Sequence, residues 1–258
     1  MTAPDPIAFS LFGLDVRWYG ILMAAAILTG GFVMYRRAPN HGIKQDDVID
    51  ILLVAVPCGI IGARLYYVIF EWSYYSQNLL QIFNLRGGGL AVHGSLIGGF
   101  FGAWLVCRHK KISFADGLDM TVAGIALAQA IGRWGNFFNG EAHGGPTDLP
   151  WGIMVDGTKV HPTFLYESIW CLLLFFLLLY LDNHRKFIGQ IFLTYGFLYS
   201  LERFFVEGLR TDSLMIGQLR QAQVLSAAVM LACVVSYVIL LKRKPHKNSV
   251  NAMEDKSK

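Results

Sequence analysis

The amino-acid sequence predicts an all-α, polytopic membrane protein with seven transmembrane helices, an N-terminus outside and a C-terminus in the cytoplasm. Three observations support this fold class. Of the 258 residues, 54% are hydrophobic and only 16% are charged, whereas soluble domains have about 25% charged residues. Seven apolar segments approach the length of about 20 residues that a helix needs to cross a bilayer. Lysines and arginines gather on one side of these segments.

The seven segments are separated by short polar connections. Several segments stop at basic residues, as Arg36-Arg37 follows the first and Lys242 follows the last. Because no repeat or low-complexity linker interrupts the series, residues 1–258 are expected to form one integral membrane domain with a cytoplasmic tail at 242–258. The predicted segments cover residues 18–35, 48–70, 90–107, 118–138, 163–181, 187–206 and 219–241.

Basic residues set the predicted orientation, because cytoplasmic loops of membrane proteins are enriched in lysine and arginine. Fourteen of the 22 lysines and arginines lie in the connections after the first, third and fifth segments or in the tail. Five lie on the opposite face and three within segments. The tail is therefore predicted to be cytoplasmic. The long outer connection 139–162, which mixes glycine and proline with Trp151, is predicted to form a small periplasmic or extracellular cap.

The composition argues against several other classes of protein. Lysines and arginines form short clusters between apolar runs, not a basic face interleaved with aromatic residues, so nucleic acid is not an expected partner. The four cysteines lie in or beside apolar segments without CxxC spacing, which disfavours disulfide and zinc sites. Neither a metal nor a cofactor is predicted, and the lipid bilayer is the expected surrounding.

Three arginines lie within the apolar segments, namely Arg64, Arg133 and Arg203. A charged residue at the centre of a transmembrane helix costs roughly 2.5–3.5 kcal/mol on insertion scales, so each is a candidate for function. Arg64 fits equally well a side chain that reaches the headgroups or pairs with a glutamate. The other two arginines lie in more informative surroundings.

Arg133 lies in the run GRWGNFFNGEAHGG at the outer end of the fourth segment. On a helix, Arg133 and Asn136 share a face, and the following glycines let backbone amides approach a ligand closely. A guanidinium can clamp a phosphate through two charge-assisted hydrogen bonds. Glu141 could hold the arginine in place or orient a hydroxyl. The alternative interpretation is an ordinary polar helix end.

Tyr199 and Arg203 of the sixth segment and Glu207, directly after it, are spaced four residues apart on one helical face. Arg203 and Glu207 could simply form an ion pair within the helix. The spacing still predicts a second guanidinium near the outer leaflet, at a depth similar to that of Arg133. Two arginines at this depth suit the phosphate of a phospholipid headgroup.

Two further residues lie near the predicted outer ends of segments. His93, in the run AVHGSLIGG, could serve as a general base because the unperturbed pKa of histidine is about 6.5. A structural histidine is the alternative. Tyr19, in the run RWYG, suits a headgroup ligand and equally suits an aromatic residue of the interfacial belt.

The run GRWGNFFNGEAHG resembles the signature of the bacterial phosphatidylglycerol–prolipoprotein diacylglyceryl transferases, a pattern of the form G-R-x-G-N-F-x-N-x-E-x-x-G. The resemblance continues in order along nearly the whole chain and leaves out only the tail. Every fixed position of the signature is filled, by Gly132, Arg133, Gly135, Asn136, Phe137, Asn139, Glu141 and Gly144. The other matching runs are RWYGI (17–21), GARLYYV (62–68), GGGLAVHGSLIGG (87–99), HPTFLYES (161–168) and ERFFVEGLRTD (202–212).

This resemblance implies an enzyme of the bacterial cytoplasmic (inner) membrane that acts in the first step of lipoprotein maturation. Such an enzyme transfers the diacylglyceryl group of phosphatidylglycerol to the thiol of the lipobox cysteine in a prolipoprotein signal peptide. The product is a thioether, and glycerol phosphate is released. The implied partners are phosphatidylglycerol, prolipoprotein signal peptides and the bilayer, with no metal or cofactor.

The resemblance also implies roles for individual residues. Arg133 looks like the phosphatidylglycerol-binding arginine, and Arg203 looks like its partner. The expected catalytic residues are His93, Arg133, Arg203, Glu141 and Glu207. The expected substrate-binding residues are Arg133, Tyr19, Asn136, Asn139, Gly144, Tyr199, Arg210 and His161.

Three rival functions are weaker. An intramembrane protease would need a nucleophile and a base that face each other, whereas His93 and Ser95 point apart on a helix. A metal-dependent phosphatidyltransferase would need clustered aspartates within a segment, which the sequence lacks. A transporter or channel that binds anionic lipid without transferase activity is the remaining alternative, although the sequence shows no inverted repeat.

Overall fold

The computed structural model describes residues 5–85, 88–211, 215–216 and 219–243. Within these residues the chain is mostly helical, and every long helix begins and ends within a few residues of a predicted segment. The short helix α3 has four residues. The helices in chain order are α1 (Trp18–Arg37), α2 (Gln45–Phe70), α3 (Trp72–Tyr75), α4 (Val92–Lys110), α5 (Phe114–Asn139), α6 (Thr163–Asp182), α7 (Gln190–Leu209) and α8 (Gln221–Lys242).

Among the described residues, five helices are long and apolar enough to cross a membrane by length and composition. They are α1, extended by the turn Ala38–His41, together with α2, α5, α6 and α8. The membrane character is thereby confirmed. Helices α4 and α7 have 19 and 20 residues but are more polar, since α4 ends on basic residues and α7 contains Glu202 and Arg203. The count of seven spans and the orientation stay predictions.

Three antiparallel two-stranded hairpins within the described residues depart from the all-α prediction. The middle hairpin lies in the connection that was predicted to form a cap. Its Ile153 and Val160 are buried and pack with Phe137 and Phe164. The strands pair as β1 (Ile7–Leu11) with β2 (Leu14–Arg17), β3 (Ile153–Val155) with β4 (Thr158–Val160), and β5 (Met215–Ile216) with β6 (Leu219–Arg220).

The chain divides into two compact units, residues 1–34 with 118–258 and residues 35–117. In the first unit, α5, α6 and α7 share a buried apolar core that includes Ala126, Leu178 and Ile191. The buried carboxylate of Asp119 on α5 accepts hydrogen bonds from the backbone N–H groups of Gly189 and Phe192 at the start of α7 (2.7 and 2.8 Å). This contact fixes α7 against α5 at the end opposite to Arg133.

In the second unit, α2 and α4 pack closely along glycines. A Cβ atom added to Gly62 would overlap the carbonyl oxygen of Gly94, and one added to Gly98 would overlap that of Cys58. Small residues of this kind let helix backbones approach each other in membranes. At one end of the pair, Lys110 of α4 binds Asp50 and Asp47 of α2, and these hydrogen bonds raise the pKa of Lys110.

Candidate active site

Two arginines and a buried carboxylate form the centre of the candidate site. Arg133, in the last two turns of α5, places its Nε atom 3.2 Å from Oε2 of Glu167 on α6. Arg203, on α7, donates from Nη1 to the other oxygen of Glu167 at 2.5 Å. One carboxylate is therefore shared by guanidinium groups from two other helices.

The remaining contacts of both arginines use residues of α7. Arg203 donates from Nη2 to Oε2 of Glu207 at 2.7 Å, which confirms the ion pair that the sequence spacing allowed. Arg133 donates from Nη2 to the hydroxyl of Tyr199 at 3.3 Å. Tyr199, Arg203 and Glu207 thus lie on one face of α7, and this face is directed at Arg133 and Glu167.

Burial differs between the charges of this cluster. The Glu167 side chain is fully buried, whereas those of Arg133 and Arg203 are 20% and 19% exposed. Two guanidiniums balance two carboxylates, which makes the burial of all four groups tolerable. Because an arginine has five N–H donors, both side chains retain the capacity to bind an anion from their exposed side.

A family model for prolipoprotein diacylglyceryl transferase matches residues 6–239. A phosphatidylglycerol–prolipoprotein diacylglyceryl transferase of Clostridioides difficile (strain 630) is 55% identical over 247 residues, covering 96% of this chain and 99% of the relative. Proteins of the same name from Finegoldia magna and Clostridium novyi are 52% and 46% identical, covering 90% and 95% of this chain and 94% and 97% of each relative.

The chain belongs to the prolipoprotein diacylglyceryl transferase family. The family that the signature predicted is therefore confirmed. The residues of the signature itself lie at the end of α5 and in the connection after it.

The second half of the transferase-family signature forms a hydrogen-bonded turn. The side-chain amides of Asn136 and Asn139 both donate to Oε1 of Glu141, at 3.1 and 3.2 Å. The sequence left open whether Glu141 holds Arg133. In the structure the carboxylate beside Arg133 is that of Glu167, while Glu141 accepts hydrogen bonds from the two amides.

Tyr19 lies against Gly135, one of the glycines of the same signature. A Cβ atom added to Gly135 would come within 2.8 Å of the Tyr19 ring, so only glycine lets the two helices approach so closely. The preceding residue, Trp18, stacks on Phe138 with ring centroids 5.1 Å apart. The start of α1 is thereby packed on the end of α5, next to Asn136.

Gly144 and His161 lie in two adjacent stretches of backbone that cross near the end of α7. Gly144 donates its N–H to the carbonyl of His161 at 2.9 Å, and His161 donates to the carbonyl of Gly145 at 3.0 Å. Gly144 also forms a β-bridge with Arg210. A Cβ atom on Gly144 would lie 2.7 Å from Cβ of His161, which explains why the signature has glycine here.

His93 belongs to the second unit, unlike the other candidate residues. It lies exposed in the first turn of α4, where its ring stacks on Tyr66 with centroids 6.0 Å apart. The two arginines and their partners therefore belong to one unit, and His93 belongs to the other. Its role as general base stays a prediction.

Sequence reasoning missed Glu167. The signal was available, because Glu167 is an acidic residue within the fifth predicted segment and lies in the matching run HPTFLYES. Only the arginines within segments were taken as candidates for function, and the same rule applied to acids would have found Glu167. Glu202, an acid of the sixth predicted segment, lies on α7. It is 6% exposed, and neither of its oxygens has a hydrogen-bond partner among the described residues.

Arg64 has a structural explanation that its sequence context could not give. Its guanidinium donates to five backbone carbonyls of the connection between α2 and α4, and it lies over the ring of Tyr75, 5.1 Å from the centroid. It therefore holds this connection on the side of α2. The acceptors are the carbonyls of Gln81, Ile82, Asn84, Gly88 and Gly89.

Proposed function

We propose that the chain transfers the diacylglyceryl group of phosphatidylglycerol to the thiol of the lipobox cysteine of a prolipoprotein, forming a thioether and releasing glycerol phosphate. The observation that supports this most directly is the pair of partly exposed arginines that share Glu167. Such a pair is suited to a phosphate that is both the headgroup linkage and the leaving group. The family relationship supports the identity of the two substrates.

Arg133 and Arg203 bind the phosphate of the lipid in this proposal. Guanidinium groups stabilise the negative charge that develops on a departing phosphate, and they do so most strongly in a water-excluded site. Glu167 fixes both arginines and takes no part in bond making. Glu207 holds the second guanidinium from the side of α7.

The acceptor thiol must lose its proton before it attacks. A cysteine thiol has a pKa of about 8.5, and the thiolate is the nucleophile. His93 accepts that proton in this proposal. The sulfur then forms a bond to the glyceryl carbon, the bond between this carbon and the phosphate oxygen breaks, and the electron pair leaves with glycerol phosphate.

The remaining candidate residues line the proposed substrate path. Glu141, held by two amides, orients the glycerol headgroup or the incoming thiol. Tyr19 contacts the headgroup from α1. The other proposed substrate-binding residues are Asn136, Asn139, Gly144, Tyr199, Arg210 and His161.

We also propose that the chain crosses the bacterial cytoplasmic (inner) membrane seven times, with the N-terminus outside. Helices α4 and α7 are nearly as long as the five apolar helices, which supports counting them as spans. The excess of basic residues in alternate connections supports a cytoplasmic C-terminus. The connection with β3 and β4 then forms the proposed outer cap.

A reconstituted transfer assay tests this function. The purified chain in nanodiscs is incubated with phosphatidylglycerol and a synthetic lipobox peptide, and the peptide is weighed by mass spectrometry. We expect the mass of one diacylglyceryl group to be added, and no addition to a peptide with serine in place of the cysteine. Binding of phosphatidylglycerol without any mass gain would instead favour the anionic-lipid transporter or channel.

A further inference from the structure

The N-terminal hairpin β1–β2 has two chemically different faces. Strand β1 pairs with β2 in the register Phe9 with Val16, Ser10 with Asp15 and Leu11 with Leu14. Ser10 donates from its hydroxyl to the Asp15 carboxylate at 2.5 Å on one face. Since side chains alternate along a strand, the opposite face presents the four apolar residues.

The described residues leave most of the apolar face exposed, with Val16 half-buried. Phe9, Leu11 and Leu14 are each exposed over about half of their surface, at 51%, 53% and 51%. A polar partner face and an exposed apolar face are typical of an element that lies at a boundary between water and a less polar medium. An exposed apolar patch of this kind marks an interaction site.

The turn of the hairpin strengthens this interpretation. Phe12 and Gly13 connect the strands with φ angles of 51° and 76°, as a two-residue type I′ turn requires. Asparagine, aspartate and glycine normally occupy such positions, and a bulky aromatic residue there is an outlier. Phe12 is 95% exposed, so no packing against the described part of the chain explains its presence.

The hairpin is joined directly to a membrane span. Strand β2 ends at Arg17 and α1 begins at Trp18, whose backbone N–H donates to the carbonyl of Pro6 at 3.0 Å. No linker separates the two elements. Farther along α1, the exposed side chains Ile27 and Leu28 belong to the surface that faces lipid. The hairpin and its apolar face therefore lie directly at the start of a helix that exposes apolar side chains.

We propose that the β1–β2 hairpin is a membrane-interface anchor whose apolar face and Phe12 side chain enter the boundary between headgroups and acyl chains. The polar face with Ser10 and Asp15 is turned to water. A two-stranded hairpin has open edges with unpaired backbone groups, which are not tolerated in the hydrocarbon core. The hairpin is therefore expected at the boundary between headgroups and acyl chains. This anchor goes beyond the transferase function and does not depend on it.

Depth-resolved fluorescence quenching tests the anchor. Phe12→Cys and Ser10→Cys chains are labelled with an NBD maleimide and reconstituted in vesicles of phosphatidylcholine and phosphatidylglycerol, and labelled wild-type protein supplies the background from the native cysteines. We expect nitroxide lipids spin-labelled near the headgroup to quench the label at position 12 at least about threefold more than the label at position 10. Aqueous iodide should show the opposite preference.

A second labelled position on the apolar face keeps the test valid if the Phe12→Cys substitution disturbs the turn. The Leu14→Cys label should behave like that at position 12, and thermal unfolding of each labelled chain verifies folding. If iodide quenches positions 12 and 14 as strongly as position 10, the face points to water and the proposal is wrong. If neither quencher reaches positions 12 and 14, the face is covered by protein, which also overturns it.

Discussion

At the residue scale, the position of both arginines depends on Glu167. This carboxylate is fully buried and is shared by Arg133 from α5 and Arg203 from α7. Glu202 is also buried but has no hydrogen-bond partner among the described residues. The two glutamates therefore form a natural pair for comparing a bonded with an unbonded buried carboxyl group.

Replacing Glu167 with glutamine is expected to lower the free energy of unfolding by about 3 kcal/mol, because removing one partner of a buried ion pair leaves the other charges uncompensated. Chemical denaturation in detergent micelles measures this change. Glu202→Gln is the matched control and should shift the unfolding free energy by less than about 1 kcal/mol, since it breaks no hydrogen bond. Equal losses in the two variants would contradict the role of Glu167 as a shared counterion.

Arg133→Lys is expected to reduce the rate of diacylglyceryl transfer by about 100-fold or more. Lysine keeps the charge but cannot form the planar, two-pronged contact with a phosphate, and losing a donor to a developing anion typically costs about 10²–10³ in turnover. The reconstituted transfer assay measures the rate. Arg108→Lys, in the last turn of α4, serves as the control and should transfer at the wild-type rate. Near-normal transfer by Arg133→Lys would remove Arg133 from the proposed phosphate site.

At the element scale, glycines determine how α2 and α4 meet. Gly98→Ala is expected to destabilise the chain by about 1–3 kcal/mol, the usual cost of overpacking, because the new methyl group would overlap the Cys58 carbonyl. Gly99→Ala is the neighbouring control, where the nearest heavy atom would be 3.8 Å away. The unfolding temperatures of the two variants are compared. An equal loss of stability at both positions would mean that the effect does not come from the contact between α2 and α4.

The connection between α2 and α4 depends on Arg64. Arg64→Lys keeps the charge but has three donors in place of five, so the five carbonyls that Arg64 binds cannot all be bonded. We expect amide hydrogen exchange in this segment to become at least about tenfold faster, as the loss of about 1.4 kcal/mol would produce. Tyr75→Phe retains the ring beneath the guanidinium and should exchange like wild type. Unchanged exchange in Arg64→Lys would mean that the connection is held by other contacts.

The elements could be predicted from the sequence to very different degrees. Long apolar runs ending at basic residues specify helices almost residue by residue, as for α6 (Thr163–Asp182) against the predicted 163–181. The hairpin strands have only two to five residues, too few for a periodic pattern. Arg64 was found as an unusual charge, but its partners are backbone carbonyls 17–25 residues away, which have no sequence signature.

The candidate site was predicted in part. The signature and the spacing on α7 identified both arginines, Glu207 and Tyr199. The arginines stood out because they are charges within apolar segments. The partner that joins the arginines was missed, since contact between different helices is a tertiary property. The two hydrogen bonds that Oε1 of Glu141 accepts depend on the turn after α5, whose Gly140 and Ala142 have positive φ angles. No periodicity predicts such a turn.

At the scale of the whole molecule, the distribution of basic residues predicts which ends face the cytoplasm. A green fluorescent protein fused to the C-terminus should be fluorescent in cells, because it folds in the cytoplasm. Alkaline phosphatase fused after Asp148, in the connection between α5 and α6, should be active because it would lie outside. If the fluorescent protein fusion is not fluorescent and the phosphatase fusion is inactive, the orientation is the reverse of the one proposed.

The sharing of one carboxylate by two arginines has a consequence for turnover. Glu167 already occupies the guanidinium faces that point inward, so an incoming phosphate competes with a resident anion for the same positive charge. This competition lowers the affinity of the two arginines for the product as well as for the substrate. Glycerol phosphate bears more negative charge after cleavage than the lipid did before it, and two unopposed arginines would retain it strongly. We therefore expect Glu167 to speed the release of glycerol phosphate, so that product release does not limit the rate of turnover.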